Sequence, residues 1–191
     1  MKYWMYTEDV NNYAHLFFVD QGFTRQLVTE FMGKPYTKPW TMPEVNYARE
    51  WEAPGLSKEE RKMIKKNNEG LPQPDFPWLV GAESAAVFNE RALQVLAHLI
   101  RDSVQIFPLS HESQKFYMIN VIEIVVCLDE ELSEVRRYGP APRIIKPVFK
   151  EQLAKGKHIF KIPQSPSAIF VSDRFKQEIE SNALKGLTWQ R

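Results

Sequence analysis

Cysteine is almost absent from this sequence, which has one, Cys127, in 191 residues. A single cysteine excludes a disulfide framework within the chain and suits a reducing compartment. The N-terminal stretch MKYWMYTEDVNNY lacks the apolar core of a signal peptide, and no apolar run reaches the roughly 18 residues that span a bilayer. We therefore expect a soluble, cytoplasmic protein that has no membrane partner.

An excess of charge of either sign is also missing. The formal net charge is +1, from 25 basic and 24 acidic residues. This balance argues against a strongly basic nucleic-acid binder and gives no support to an acidic mimic of DNA. Hydrophobic residues make up 43% of the chain and aromatic residues 13%, so it can bury a sizeable core. The length suits one domain, and nucleic acid is not expected as a partner.

The common catalytic and metal-binding motifs are absent as well. The eight glycines form no phosphate loop, and there is no nucleophile elbow. Four histidines lie at spacings that do not suit a zinc site, so each is expected on the surface or satisfied in the core: His15, His98, His111 and His158. Asp129, Glu130 and Glu131 oppose a thiolate at Cys127, and this acidic run, with Glu134, is typical of a solvated turn. No catalytic residue, metal or cofactor is expected.

What the sequence does contain is an alternation of short apolar runs and helical patterns. Runs rich in β-branched and aromatic residues predict strands in KYWMY, HLFFVD, AAVF, VQIF, RIIKPVF, HIFKIP and LTW. KEQLAKG predicts a short helix that Gly156 closes. Together they predict an α+β fold: a single domain with a mixed, mainly antiparallel sheet, packed helices and an irregular, aromatic-rich N-terminal region.

The longest apolar run, Phe116 to Leu128, predicts a central strand. Alternating side chains would be apolar on both of its faces, so we expect helices or loops to cover both sides. A strand of this length exceeds the usual one, which predicts a bulge or bend near Asn120. Cys127 would then lie at the end of a buried strand.

Two segments, SAAVFNERALQVLAHLIRDSVQIF and SAIFVSDRFKQEIESNALKGLTW, share a pattern of strand, capped helix and strand. Asn89 and Ser172 are the predicted helix caps, with Glu90 and Asp173 at the positive helix ends. Helical spacing predicts two buried stripes: Leu93, Leu96, Ala97 and Ile100 in the first helix, and Phe175, Ile179 and Ala183 in the second. Gly186 is expected to stop the second helix. Either duplication or a common scaffold unit explains the pattern.

Residues 32–56 combine prolines with four aromatic residues, Tyr36, Trp40, Tyr47 and Trp51. The prolines exclude long regular elements. Loops with this composition usually pack on a core, and the alternative is an exposed aromatic anchor for a partner. A surface helix follows, with a capping box formed by Ser57 and Glu60.

An ordered set of motifs resembles the eleventh numbered family of immunity proteins, which are encoded beside bacterial polymorphic toxins. The motifs are Pro74-Asp75, Asn89-Glu90-Arg91, Tyr117 with Asn120-Val121, Leu128-Asp129 with Ser133, Ile159-Phe160, Val171-Ser172-Asp173-Arg174-Phe175-Lys176 and Leu184-Lys185-Gly186-Leu187. Asn89 and Asp173 depart from the family pattern, which has Ser and Glu there. The resemblance divides the chain into a variable N-terminal portion, 1–70, expected to belong to the same domain, and an immunity-protein core, 71–191.

The resemblance implies a cytoplasmic protein that binds and neutralises a cognate toxin domain and has no catalytic residues. The expected partner-binding residues are Trp40, Tyr47, Trp51, Glu59 and Glu60. Two alternatives remain open: a general interaction module or homo-oligomer without a toxin, and an enzyme with an unfamiliar site around Cys127, Asp129, Glu130 or His111. The activity of the toxin and the oligomeric state are not predicted.

Overall fold

A computed structural model of the chain describes residues 2–20, 30–47, 57–59, 62, 70–138 and 141–190. The strands in this part are β1 (Tyr3–Glu8), β2 (Leu16–Phe18), β3 (Val45–Tyr47), β4 (Ala86–Asn89), β5 (Val104–Leu109), β6 (Phe116–Val121), β7 (Glu134–Tyr138), β8 (Ala141–Lys146), β9 (Ile159–Ile162), β10 (Ser165–Ser172) and β11 (Leu187–Gln190). The helices are α1 (Glu90–Ile100), α2 (Glu151–Ala154) and α3 (Asp173–Ser181), with a 3-10 turn over Arg101–Ser103. The α+β class is confirmed.

The strands form separate sheets rather than one. The larger sheet has the order β11-β1-β10-β9, and the second has the order β4-β6-β5. Neighbouring strands in both are antiparallel. The pairs β2-β3 and β7-β8 form two further antiparallel ribbons. Helices α1 and α3 contact each other, and both bury apolar side chains in one core with residues of the two main sheets.

The two segments with the shared sequence pattern form the same spatial unit. In each, two strands that are connected by a helix flank one antiparallel strand. Strands β4 and β5, connected by α1, flank β6, whereas β10 and β11, connected by α3, flank β1. Strand β6 follows its unit directly, but β1 comes from the opposite end of the described chain. The second unit is therefore completed by residues far away in sequence.

The strand registers of the two units coincide. The caps Asn89 and Ser172 lie opposite Phe116 and Tyr3, the first residues of the two six-residue central strands. Val104 and Leu187, the first residues of the closing strands, lie opposite Val121 and Glu8, the last residues of those strands.

Equivalent backbone bonds tie each helix to its central strand. The first helical residue donates to the residue before that strand: Glu90 N–H to Lys115 O at 3.1 Å, and Asp173 N–H to Lys2 O at 2.9 Å. With the shared register, this repetition identifies one structural unit used twice.

Both predicted helix caps are confirmed. Asn89 Oδ1 accepts from Ala92 N–H at 2.8 Å, and Ser172 Oγ accepts from Phe175 N–H at 3.2 Å. The C-terminal prediction for α3 was wrong, because α3 ends at Ser181, before Gly186.

Gly186 has a different role. Its φ is +110°, and a Cβ there would lie 2.5 Å from Pro74 Cβ, so glycine permits a close approach between two chain segments.

The predicted apolar stripes are correct in part. Helix α1 buries Leu96 and Ile100 as expected, but it also buries Ala92 and Leu99, while Leu93 and Ala97 are only half-buried. The stripe therefore lies further round the helix than the spacing indicated. In α3, Phe175 and Ile179 are buried, whereas Ala183 is exposed and lies beyond the helix.

The predicted long strand over Phe116 to Leu128 was wrong in its second half. Strand β6 ends at Val121, and the chain then crosses to the edge of the larger sheet, where Ile124 forms a parallel bridge with Lys161 of β9. Glu123 O accepts from Lys161 N–H, and Lys161 O accepts from Val125 N–H, each at 2.8 Å. The side chain of Val126 is 70% exposed, so this segment is not covered on both sides.

Candidate functional site

Residues 30–47 run alongside β5, the edge strand of the second sheet. Gln105 of β5 accepts from Tyr36 N–H at 2.7 Å and donates to Tyr36 O at 3.2 Å. Asn120 of β6 donates to Lys34 O at 2.9 Å. Further along, Val45 N–H donates to Ser110 O at 2.8 Å. The segment thus covers a sheet edge that would otherwise be open for pairing.

Aromatic rings hold this segment in place. Phe31, Tyr36, Trp40 and Phe107 contact one another, with 4.6 Å between the ring centroids of Trp40 and Phe107. The Trp40 indole donates to Pro108 O at 2.7 Å. Tyr36 and Trp40 are half-buried against the core, as the prediction of a packed aromatic loop required.

A groove of about 300 Å³ lies where the segment meets the turn between β5 and β6. We call it the hairpin groove, and its lining comprises Met42, Pro108, Leu109, Ser110, His111, Gln114, Lys115, Phe116 and Tyr117. Its volume is at the lower end of the range for small-ligand sites. Met42 forms one edge with its side chain 50% exposed and a φ of +50°, a conformation that is costly for a residue with a side chain.

Two buried polar atoms near this groove have no hydrogen-bond partner among the described residues: the Tyr47 hydroxyl and His111 Nε2. The two rings lie 5.8 Å apart and both pack edge-on against Phe116, at 6.0 and 5.2 Å. Burial raises the pKa of Tyr47 and lowers the pKa of His111, so both groups are neutral at pH 7.

A second polar centre joins the two repeated units. Asp75, which is 7% exposed, accepts from Asn89 Nδ2 at 2.9 Å, from Lys185 N–H at 2.8 Å and from Arg91 Nη1 at 3.4 Å. Gly186 packs against Pro74 beside it. Three motifs that are far apart in sequence, at 74–75, 89–91 and 184–187, therefore meet at one place.

Comparison with known families adds to this geometry. Residues 106–191 match the Immunity protein family (Imm11). The family is the one that the ordered motifs predicted, and the match supports an immunity function. No curated protein matches the chain. The Imm11 match begins within β5 and includes most of the hairpin groove, but not the motifs at 74–75 and 89–91.

The predicted partner-binding residues are only partly described. Trp40 and Tyr47 are half-buried, and each contacts one residue that lines the hairpin groove, Trp40 contacting Pro108 and Tyr47 contacting His111. Glu59 is exposed. Trp51 and Glu60 lie outside the described residues, as does part of the predicted capping box. The binding role of all five remains a prediction.

The residues considered for catalysis are buried or take part in hydrogen bonds that stabilise the fold. Cys127 is fully buried, and burial raises the pKa of its thiol to about 11, which makes it a poor nucleophile at neutral pH. Asp129 accepts from the N–H groups of Glu131 and Leu132, as expected for a turn. Glu130 Oε1 accepts from Gln164 Nε2 at 2.9 Å.

The described residues contain no group of three or more His, Cys, Asp or Glu side chains that would hold a metal ion. None of their helices is long and apolar enough to cross a membrane.

Sequence patterns did not predict the two unpaired polar atoms or a set of exposed aliphatic residues inside the Imm11 match. Its members are Ile124, Val126, Leu132, Val148 and Leu153, of which Val126 and Leu132 are each 70% exposed. Ile124 and Val126 belong to the apolar run that predicted a strand covered on both sides, but both are exposed. Their exposure is determined by contacts between residues that are far apart in sequence.

Proposed function

We propose that this chain is an immunity protein that binds a cognate bacterial toxin domain and neutralises it in the cytoplasm of the producing cell. The Imm11 match over residues 106–191 carries the proposal. The thiol environment of Cys127 adds support for action by binding rather than by catalysis. Trp40, Tyr47, Trp51, Glu59 and Glu60 are proposed to contribute to the interface, because aromatic and charged side chains can anchor binding surfaces. Of these, Trp40 and Tyr47 are half-buried and Glu59 is exposed.

Co-expression tests this function. The toxin domain encoded beside this chain is expressed from an inducible promoter, with or without the chain. We expect growth arrest with the toxin alone and growth with both, together with a complex of equal stoichiometry on size-exclusion chromatography.

The alternatives give different results. A homo-oligomer without a toxin would elute as a stable assembly and leave the growth arrest unchanged. An enzyme that repairs the damage done by the toxin would restore growth without forming a complex. Either result would contradict the proposed function.

A further inference from the structure

The ribbon of β7 and β8 lies inside the Imm11 match but belongs to neither main sheet. Its two strands pair with each other and with no other strand of the described chain. A two-stranded ribbon has little stability of its own in water. Its order therefore depends on what packs against it, either the body of the protein or a partner.

Hydrogen bonds hold the root of the ribbon on the body of the protein. Val148 N–H donates to Ser133 Oγ at 2.9 Å, and Asp129 N–H donates to Val148 O at 2.8 Å. Leu128 forms an antiparallel bridge with Phe149. Leu128-Asp129 with Ser133 is one of the ordered motifs that carry the family resemblance, so this motif fixes the point at which the ribbon leaves the body.

The two faces of the ribbon differ in character. Val135 and Ile144 are register partners, and Ile144 packs against a buried apolar cluster. Side chains alternate between the faces of a strand, so Glu134 and Arg136 lie on the opposite face, where Lys146 is the register partner of Glu134. The side chains of Arg136 and Lys146 are 59% and 70% exposed. The outward face is therefore charged and open to solvent.

Positive charge is concentrated on this ribbon. Residues 134–146 contain four basic residues and one acidic residue, Glu134, whereas the whole chain has 25 and 24. Arg136 Nη2 and Lys146 Nζ lie 3.9 and 3.8 Å from the carboxylate of Glu134, but exposed pairs contribute little. Arg136 is also directly opposite Arg143, and like charges at opposed positions destabilise an antiparallel pair. A carboxylate supplied by a partner would offset this repulsion.

The surroundings of the ribbon indicate how such a partner lies. The acidic turn from Asp129 to Glu131 precedes the root, so it repels carboxylates there and favours their approach along the ribbon. At the root, Leu132 and Val148 are 70% and 37% exposed. Apolar area beside charged groups is the usual composition of a protein interface, whereas a nucleic acid offers little aliphatic surface for these two side chains. An acidic protein surface fits the ribbon better.

We propose that the ribbon of β7 and β8 docks on an acidic surface of the toxin, whose carboxylates accept from Arg136, Arg143 and Lys146 while apolar toxin side chains pack on Leu132 and Val148. This inference rests on the proposed function and names the chemistry of the surface that the toxin presents. It adds a binding surface inside the Imm11 match, apart from the aromatic segment at residues 30–47.

Charge reversal on the ribbon tests the contact. Arg143→Glu replaces a like-charged register pair with an opposite-charged one, so the melting temperature of the free chain should not fall. The affinity for the toxin domain encoded beside this chain should nevertheless fall about tenfold or more, because a carboxylate would then meet a carboxylate. Arg136→Glu should weaken binding to a similar extent. Titration calorimetry measures the affinity and thermal unfolding measures the stability.

Arg101→Glu is the matched control. It makes the same change of charge at an exposed arginine that follows α1 and lies outside the Imm11 match, so the affinity should stay unchanged. High salt should weaken toxin binding by the unaltered chain more than binding by Arg143→Glu, since the variant has lost the attraction that salt screens. A DNA duplex and an RNA duplex of mixed sequence are titrated in the same way, and neither should bind.

The outcomes separate this inference from the proposed function. If the unaltered chain binds the toxin and both ribbon variants bind as tightly, the inference is overturned and the immunity function stands. An equal loss of affinity in Arg101→Glu would overturn it too, because the effect would then come from net charge rather than from contact. Binding to either duplex that Arg143→Glu abolishes would assign the ribbon to nucleic acid instead. If the unaltered chain does not bind the toxin, the proposed function fails and this inference fails with it.

Discussion

Lys161 shows how much a single side chain can contribute to the arrangement of this fold. It is fully buried, and its Nζ donates to Phe31 O and to Ser84 O, each at 2.6 Å. It therefore fastens the segment at residues 30–47 to β9. Burial lowers its pKa from 10.5 to about 8, so the charged form is held in an environment that disfavours it.

The stability of the chain should consequently rise as the pH is raised from about 8 to about 10.5. In this window the unfolded chain binds the lysine proton more tightly than the folded chain, so deprotonation favours folding by up to about 1.4 kcal/mol per pH unit. Below pH 8 both states are protonated and this contribution is constant. Urea unfolding at several pH values measures it, and Lys161→Met should remove this component of the rise.

Lys155→Met is the control, because Lys155 is exposed and its removal should leave the pH dependence intact. Other groups titrate in the same window, so the relevant quantity is the difference between each variant and the unaltered chain. An identical rise in Lys161→Met would show that the amine has its ordinary pKa.

Ala183 offers a second test at the scale of one residue. Its φ is +52°, and its side chain is exposed. Glycine adopts this conformation without steric cost, so Ala183→Gly should raise the free energy of unfolding by about 1 kcal/mol, as measured by chemical denaturation. The same change at Ala97, within α1, should lower it by about 1 kcal/mol. A loss of stability at position 183 would contradict the expected relief of strain.

At the scale of elements, Asp75 links the start of α1 to the turn that precedes β11. Its side chain accepts from Asn89, Arg91 and Lys185, and its backbone N–H donates to Lys185 O at 2.9 Å. These bonds hold the two repeated units together beside the main core.

Asp75→Ala should lower the free energy of unfolding by roughly 3 kcal/mol, because three donors lose the buried carboxylate that accepts from them. Chemical denaturation followed by tryptophan fluorescence measures the loss. Asp102→Ala is the control, since Asp102 is exposed and its change should stay within about 0.5 kcal/mol. Equal effects of the two substitutions would mean that the Asp75 hydrogen bonds contribute no net stability.

The elements themselves were largely predictable, because the signals for them are local. The caps at Asn89 and Ser172 and the strands at HIFKIP and LTW follow from a few neighbouring residues. The end of β6 did not follow from such signals, since the apolar run continues beyond Val121 while the chain changes sheets. Gly186 was misread for a similar reason: its partner, Pro74, is distant in sequence.

The candidate site was predicted less well than the elements. Aromatic composition drew attention to Trp40 and Tyr47, but nothing local to His111 distinguished it from the other histidines. Its half-buried position at the groove depends on Tyr47 and Phe116, which the fold brings beside it. A groove is a property of packing between segments, so it has no sequence pattern of its own.

For the molecule as a whole, β1 is the element on which the second unit depends. It lies between β10 and β11, and it carries Tyr6 into the main core. The Imm11 match does not include it. Without β1, the strands β10 and β11 would both lack their shared neighbour.

Removal of residues 2–9 should therefore abolish cooperative thermal unfolding, which circular dichroism would show as the loss of a single transition. A synthetic peptide of residues 2–9, added in trans, should restore the transition, whereas a scrambled peptide of the same composition should not. If the shortened chain melted at the same temperature as the full chain, β1 would be dispensable and the second unit would be stable as β10, α3 and β11 alone.

The position of β1 also bears on how the chain reaches its fold. Trp4 donates to Asp173 across 169 residues of sequence, so this contact closes a very long loop, and distant contacts of this kind slow folding. Met5 and Gln190 lie opposite each other on β1 and β11. A short linker from Gln190 to Tyr3, with new ends opened elsewhere, would give a circular permutant in which β1 follows β11 as β6 follows β5. In that order the two units would be tandem repeats, each able to close locally.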